Sequence, residues 1–388
     1  MTEMVHGAVP LAQGEPVLSH WWRTVDRWSL GAVLMLMGIG VLLSLAASPP
    51  LAARNDLAPF HYTIRQIFYG ALALATMLAL SLQSPVRLRR LAVVLFAAGF
   101  AALALLPVLG TDFGKGAVRW YALGIGAIQP SEFVKPGFIV LSAWMMSAAD
   151  APNGPPGRSL SFALLVIITA FLVAQPDYGQ AALIVFGWAV LHFVAGARLR
   201  LVVILLGLGL SGGWLAYQNS AHFAGRIDSF LEGDPAPRSQ MAYAADAIGE
   251  GGLFGVGVGA GEVKWRLPDA HTDFIVAVAA EEYGFVLVAV MLALYAAIVL
   301  RSLDRLRRER DGFIRLAGAG LAALFAVQAL INIGVAARLL PPKGMTLPFI
   351  SYGGSSMLAL GISMGLLLAF TRNRPQGEIG GILARAGR

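Results

Sequence analysis

Long apolar runs separated by short polar breaks dominate the chain. Ten stretches are apolar over most of their length, at about 29–48, 64–83, 91–109, 131–149, 159–175, 179–196, 201–219, 273–300, 313–334 and 351–371. A helix of about 20 apolar residues covers the hydrocarbon of a bilayer. The pattern therefore predicts an all-α polytopic membrane protein of about ten transmembrane helices. The breaks alternate in character. "SPVRLRR", "GARLR" and "RSLDRLRRER" are short and basic, whereas those between them carry mixed charge, Pro and Gly. Basic residues gather in cytoplasmic loops, which places both termini in the cytoplasm. Residues 1–28 read as a loosely ordered cytoplasmic tail closed by the aromatic and basic "HWWRTVDRW"; they carry no signal-peptide pattern, so the first span is an uncleaved anchor. Residues 29–371 then form the membrane domain and 372–388 a second cytoplasmic tail. Residues 220–272 form a large extracytoplasmic loop between spans seven and eight.

Composition sharpens this picture. Of 388 residues 57% are hydrophobic and 13% charged, and the mean hydropathy is +0.70. A soluble domain carries about 25% charge, so a large soluble enzyme is excluded. The absence of cysteine removes disulfides, thiolate metal sites and a cysteine nucleophile. The net charge of +7 follows from the basic cytoplasmic loops and carries no signal for a nucleic-acid partner.

Ionisable residues in or beside the spans are the candidates for chemistry, because burying them in lipid is costly. "RLPDAHTDFIVAVAAEEYGF" sets Asp269, His271 and Asp273 before the eighth span and Glu281 and Glu282 inside it. Asp273 is expected in the first helical turn, with Thr272 as cap. It is either a simple helix cap or a functional acid. On one continuous helix, Glu281 would share its side and Glu282 would need another partner. His271 either orders a neighbouring carboxylate or joins a metal site. "RWYALGIGAIQPSEFVK" offers Ser131 as N-cap and a Glu132–Lys135 pair. Arg119 and Trp120 there are either interfacial anchors or an anion contact with an aromatic platform. "QPDYGQ" places Gln175 and Asp177 in a tight turn between spans. "PPKGMTLPFISYGGSS" presents Lys343 from a rigid loop, followed by Ser351, Gly353, Gly354 and Ser355, whose small size suits close helix approach. The Gly-rich "GVGVGAG" lacks a preceding strand and reads as a flexible turn rather than a nucleotide cradle.

Together with "AIGEGGLFGVGVG", these motifs resemble the SEDS family of bacterial membrane proteins (FtsW, RodA and SpoVE), over about 30–375 and in order. "PPKGMTLPFISYGGSS" is more similar to the cell-division branch than to the elongation branch. The resemblance implies a peptidoglycan glycosyltransferase that polymerises lipid II at the outer face of the bacterial inner membrane. It maps the essential acid to Asp273. Around that acid, Arg119, Trp120, Glu132, Lys135, Gln175, Asp177, His271, Thr272, Lys343, Ser351 and Ser355 would contact substrate. Asp269, Glu281, Glu282, Gly353 and Gly354 would support the site. It further implies a class B penicillin-binding protein and other divisome membrane proteins as partners, and a divalent cation, Mg or Mn, as an optional companion of the pyrophosphate. Two departures bear on substrate grip: Asp269 stands where the family more often has Glu, and Arg338 follows "NIGV" where Gly is common. A flippase for the same lipid, an elongation-branch polymerase similar to RodA and a non-catalytic scaffold are the alternatives.

Overall fold

The computed structural model describes residues 16–114, 118–124, 126–196, 240–267, 269–341 and 344–374, with scattered positions between 207 and 230. Its helices are α1 (Val17–Thr24), α2 (Arg27–Arg54), α3 (His61–Ser81), α4 (Pro85–Leu109), α5 (Pro130–Ala149), α6 (Gly157–Ala174), α7 (Tyr178–Val194), α8 (Gln240–Gly251), α9 (Ile275–Arg307), α10 (Gly312–Ala336) and α11 (Gly354–Phe370). A two-residue hairpin, β1 (Tyr121–Ala122) with β2 (Ala127–Ile128), interrupts the all-α plan in one loop. Six of the helices, α2, α3, α4, α6, α9 and α10, are long and apolar enough to cross a membrane; α7 and α11 are shorter apolar helices. Nine of the ten predicted stretches coincide with helices, and the seventh, 201–219, lies mostly outside the described residues. The chain is a mostly helical membrane protein.

Helix starts follow ordinary capping chemistry. Asp26 accepts from Trp28 N at 3.3 Å, Ser84 from Arg87 N at 3.5 Å and Asp311 from Ile314 N at 3.1 Å, each satisfying an amide that the first turn leaves open. Residues 17–24 are helical, which corrects the loose tail expected there. Trp21 is buried, and its indole donates to Ser81 at 3.0 Å.

Within lipid, helices associate by close packing rather than by the hydrophobic effect. Gly361 and Gly365, one turn apart on α11, lie on α3. A methyl at Gly361 would come within 2.6 Å of the Ala73 carbonyl oxygen, and one at Gly365 within 2.8 Å of that of Met77. At Gly137 the same approach brings α5 onto α4, 2.8 Å from Phe96 N. Helices α5, α7 and α10 meet around Phe138, Ile139, Leu191, Leu321 and Leu324.

Helix α9 is broken. Gly284 has φ 74° and ψ −176°, a conformation open to glycine. The break frees backbone groups that lipid cannot satisfy. The segment after α8 satisfies them: Val256 N donates to Glu281 O at 2.8 Å, Gly257 N to Glu282 O at 3.2 Å, and Phe285 N and Val286 N donate to Gly252 O and Leu253 O at 2.9 and 3.2 Å. The glycine-rich run is thus an ordered wrap around α9, which corrects the flexible turn read from its sequence.

Candidate active site

The turn 269–274 is fixed from both sides. Phe274 is buried, and the amides of Thr272 and Phe274 donate to Asp269 O at 3.1 and 3.2 Å. The Asp269 carboxylate accepts from Gln240 at 3.0 Å, which ties the turn to α8. Helix α9 begins only at Ile275, with Phe274 at its cap position and no side-chain cap. Asp273 therefore precedes the helix rather than lying in its first turn. Thr272 donates its hydroxyl to Asp269 O at 3.3 Å and does not cap α9.

The loop between α10 and α11, together with Asn332 of α10, grips three consecutive carbonyls of this turn. Tyr352 N donates to His271 O at 2.9 Å, Ser351 Oγ to Thr272 O at 2.5 Å and Asn332 Nδ2 to Asp273 O at 3.1 Å. Asn332 also donates to Met345 O at 2.6 Å, and Ser351 Oγ accepts from Leu347 N at 2.8 Å. Backbone contacts thus hold the turn and leave His271, Thr272 and Asp273 half-buried at the rim. Gly344, at φ 63°, lies beside the acid: a methyl there would sit 3.6 Å from Asp273 Oδ2. Lys343 precedes it and lies outside the described residues.

The two glutamates of α9 face the wrap, away from Asp273. Glu281 accepts from the amides of Val263 and Lys264 at 2.7 and 3.3 Å, and Glu282 pairs with Lys264. Both carboxylates are buried. The side shared by Asp273 and Glu281 does not exist, because residue 273 stands outside the helix that a continuous 3.6-residue period assumed.

A second polar cluster lies deeper between α5, α7 and α10. Lys135 pairs with Glu132 at 2.8 Å and donates to Gln328 at 3.3 Å; Gln180 donates to Glu132 at 2.6 Å. Helix α5 starts at Pro130 with Gln129 as its cap residue, so Ser131 is not the cap. Gln129 donates through its side chain to Asp177 at 3.1 Å and through its amide to Ser355 Oγ at 3.3 Å. Burial pushes the Asp177 carboxyl above its usual range, against the nearby Arg119 charge and with help from Glu132. Arg119 donates to Gln175 O at 3.1 Å and Pro176 O at 2.6 Å, closing the C-terminal end of α6, where a cation is favoured. Gln175 donates in turn to Leu103 O at 3.0 Å. Trp120 stays apart from this network, edge-on to Phe113 at 6.2 Å.

Gln328 and Asn332, one turn apart on α10, join the two clusters. Gln328 donates to Thr346 O at 3.1 Å, so Lys135, the 344–353 loop and Asp273 form one connected frame. Thr346 Oγ1 lies 2.6 Å from Ser356 Oγ. Gly354 admits the Tyr69 ring, which a methyl would meet at 2.8 Å, and Gly353 is the extended cap residue of α11. Glu132, Lys135, Gln328 and Ser363 line a cavity of about 20 Å³, room for one water. Among the described residues no three His, Asp or Glu side chains gather as a metal set. The sequence reading missed Gln129, Gln180, Gln328 and Asn332. A signal was present in "VQALIN", where two amides stand four residues apart in an apolar helix.

Fold and site define a helical membrane protein with an acid turn at the end of the bundle remote from its arginine-rich end. The sequence profile of the FtsW/RodA/SpoVE family, described as "Cell cycle protein", matches residues 27–376. The chain belongs to this family. It is 43% identical over 359 residues, 92% of each chain, to a protein of Caulobacter vibrioides named "Probable peptidoglycan glycosyltransferase FtsW". It is 32% identical to the "Stage V sporulation protein E" of Bacillus subtilis, over 87% of this chain and 94% of that one. Among solved structures it is similar to a chain from "Structural coordination of polymerization and crosslinking by a peptidoglycan synthase complex" (TM-score 0.72, 29% identity, 89% of this chain and 97% of that one). It is also similar to the rod shape determining protein RodA of Thermus thermophilus (TM-score 0.66, 28% identity, 90% and 97%).

Proposed function

We propose that this chain is a peptidoglycan glycosyltransferase that polymerises lipid II, the undecaprenyl-pyrophosphate-linked disaccharide-pentapeptide, for septal wall synthesis in cell division. It sits in the bacterial inner membrane with both termini in the cytoplasm and Asp273 at the outer face. The presentation of Asp273 supports this most directly. Three backbone carbonyls hold its turn, and the carboxylate stands at the rim of the bundle end opposite Arg301–Arg308. A polyprenyl chain stays in lipid while its sugars stay in water, so the reacting bond must lie at such a rim.

In the reaction the 4-hydroxyl of the acceptor sugar attacks the anomeric carbon of the donor. The donor's bond to pyrophosphate breaks, undecaprenyl pyrophosphate leaves, and the hydroxyl proton passes to Asp273. A general base contributes about 10²–10⁴-fold. Lys343, next to Gly344 in sequence, is the cation that meets the leaving charge. Arg119 and Lys135, engaged by carbonyls and by Glu132, shape the frame instead. A divalent cation, where one takes part, would draw its ligands chiefly from the pyrophosphate.

A class B penicillin-binding protein and other divisome membrane proteins are the partners of this reading. A solved relative in a complex that couples polymerisation to crosslinking supports it. Transport is disfavoured. Below Lys135 and Gln328, α5 and α10 continue as buried Phe138, Ile139, Leu321 and Leu324, an apolar layer among the described residues. The test supplies lipid II to the purified protein with its partner transpeptidase. Wild type is expected to make glycan strands and Asp273→Asn none; strands from the variant would overturn the assignment.

A further inference from the structure

At the arginine-rich end of the bundle, two tryptophans carry arginines on their rings. The Arg27 guanidinium carbon lies 5.0 Å from the centroid of the Trp22 ring, and Arg27 Nε donates to Trp22 O at 3.0 Å. The Arg301 guanidinium carbon lies 6.0 Å from the centroid of the Trp28 ring. Trp28 follows Arg27 directly, so the two pairs adjoin. Both indoles stand out from the protein, Trp22 48% and Trp28 75% exposed. Charge is unbalanced here. The buried Asp26 accepts from Arg301 at 3.0 and 3.2 Å and lies 3.3 Å from Arg305, so one carboxylate meets two guanidinium groups. Arg27 donates to a neutral carbonyl, and Arg372 donates to the neutral Thr24 Oγ1 at 3.0 Å and Ser81 O at 3.4 Å. The chemistry at Asp273 uses none of these groups.

Position says what meets this surplus. Trp28, Met35 and Leu42 recur at seven-residue steps along α2, a stripe that drifts only about 20° per step. They are 75%, 54% and 42% exposed. An apolar, exposed stripe on a membrane helix faces lipid, and Trp28 is its first residue, at headgroup level. Helix α1 flanks it. Trp21 is buried and donates to Ser81 at 3.0 Å, which leaves Val17, Leu18 and Trp22 exposed. Tryptophan collects at the membrane interface, an arginine fork matches phosphate oxygens, and anionic lipids draw arginines at the cytoplasmic surface. Arg301 over Trp28 thus puts a cation where the lipid-facing stripe ends.

We infer that Arg27 and Arg301, framed by Trp22 and Trp28, bind the phosphate of an anionic phospholipid of the cytoplasmic leaflet. Its acyl chains lie along Trp28, Met35 and Leu42. This site is independent of the sugar chemistry at Asp273.

The test titrates the full chain in detergent with phosphatidylglycerol and, separately, with phosphatidylcholine, and follows the tightest-bound lipid by native mass spectrometry. Phosphatidylglycerol is expected to bind about 10–30-fold more tightly than phosphatidylcholine, the effect of two arginines near a negative headgroup. Arg27→Gln is expected to weaken phosphatidylglycerol binding about fivefold, while phosphatidylcholine binding changes less than about twofold. Trp28→Ala, which takes the ring from under Arg301, is expected to cost about 2–5-fold. Arg90 is an exposed arginine at the start of α4, outside this cluster, and Arg90→Gln is expected to change binding less than about twofold. Equal tightness for the two lipids overturns the proposal. So does equal loss in Arg90→Gln, which would mark general surface charge, and so does competition by inorganic phosphate, which would mark a free-anion site. Unchanged phosphatidylglycerol binding in both Arg27→Gln and Trp28→Ala also overturns it and leaves the patch to a protein partner.

Discussion

Asn332 decides where Asp273 stands. Its single amide group serves both Asp273 O and Met345 O, and the residue is buried. Asn332→Leu leaves two carbonyls without their donor, at a cost of about 1–3 kcal/mol. The expected result is a fall in kcat of about tenfold or more with KM little changed, because the substrate contacts lie elsewhere; a change confined to KM would contradict a positioning role. Asp177 bears on pH. Its folded pKa lies above the ordinary 3.8 because burial penalises the charge. The folded state therefore holds the proton more tightly than the unfolded one, and stability contributed at low pH is lost as pH rises from 3.8 through the folded pKa. Asp177→Asn removes the titration. Its Tm relative to wild type should rise between about pH 4 and pH 7, and a difference that shrinks over that range would sink this account.

At the scale of elements, the break in α9 carries the most consequence. Gly284 combines a positive φ with close approach: a methyl there would lie 2.3 Å from Leu253 O. Gly284→Ala should cost more than about 2 kcal/mol, from backbone strain plus the displaced wrap. Measured as unfolding in detergent, it should also expose the 252–257 amides to hydrogen exchange. The buried acids Glu281 and Glu282 exist for this wrap, which holds the short helix 275–283 in place behind the Asp273 turn. Acids inside a span suggest a proton path or a substrate site; here they secure a loop against a broken helix.

The whole molecule is polarised. At its basic end Asp26 accepts from Arg301 at 3.0 and 3.2 Å and lies 3.3 Å from Arg305, while Arg372 donates to Thr24 at 3.0 Å. The end of α1 and the start of α2 are thereby tied to the ends of α9 and α11. Burial raises the Asp26 pKa, but bonds from Arg301 and Ser29 and the charge of Arg305 outweigh it and leave the carboxyl below its ordinary range. This contribution is present above the unfolded pKa of 3.8 and is lost as pH falls through the folded value. Asp26→Ala should lower stability by about 1–3 kcal/mol, less than for a fully buried pair because Arg301 is part-exposed. The chain has no cysteine, so single cysteines report sidedness cleanly. A cysteine replacing Asp269 should react with an impermeant maleimide in intact cells, and one replacing Arg308 only after permeabilisation. The reverse pattern would invert the proposed orientation.

Periodicity, charge alternation and capping residues by themselves determined that this is a polytopic helical membrane protein, because those signals are local and lipid demands about 20 apolar residues per span. The same local logic found the Glu132–Lys135 pair, three residues apart on one helix. It misplaced Asp273 relative to α9, because a helix start depends on which neighbours take the backbone groups, and here loop carbonyl contacts and Phe274 burial won. It misread the glycine-rich wrap, since a glycine's partner is set by the backbone that approaches it. The frame through Gln328 and Asn332, the fate of Glu281 and Glu282, and the bond from Gln66 of α3 to Ile350 O join residues far apart in sequence. Only the packing of α3, α9, α10 and α11 brings them within hydrogen-bond distance, and no local pattern encodes that choice of partners.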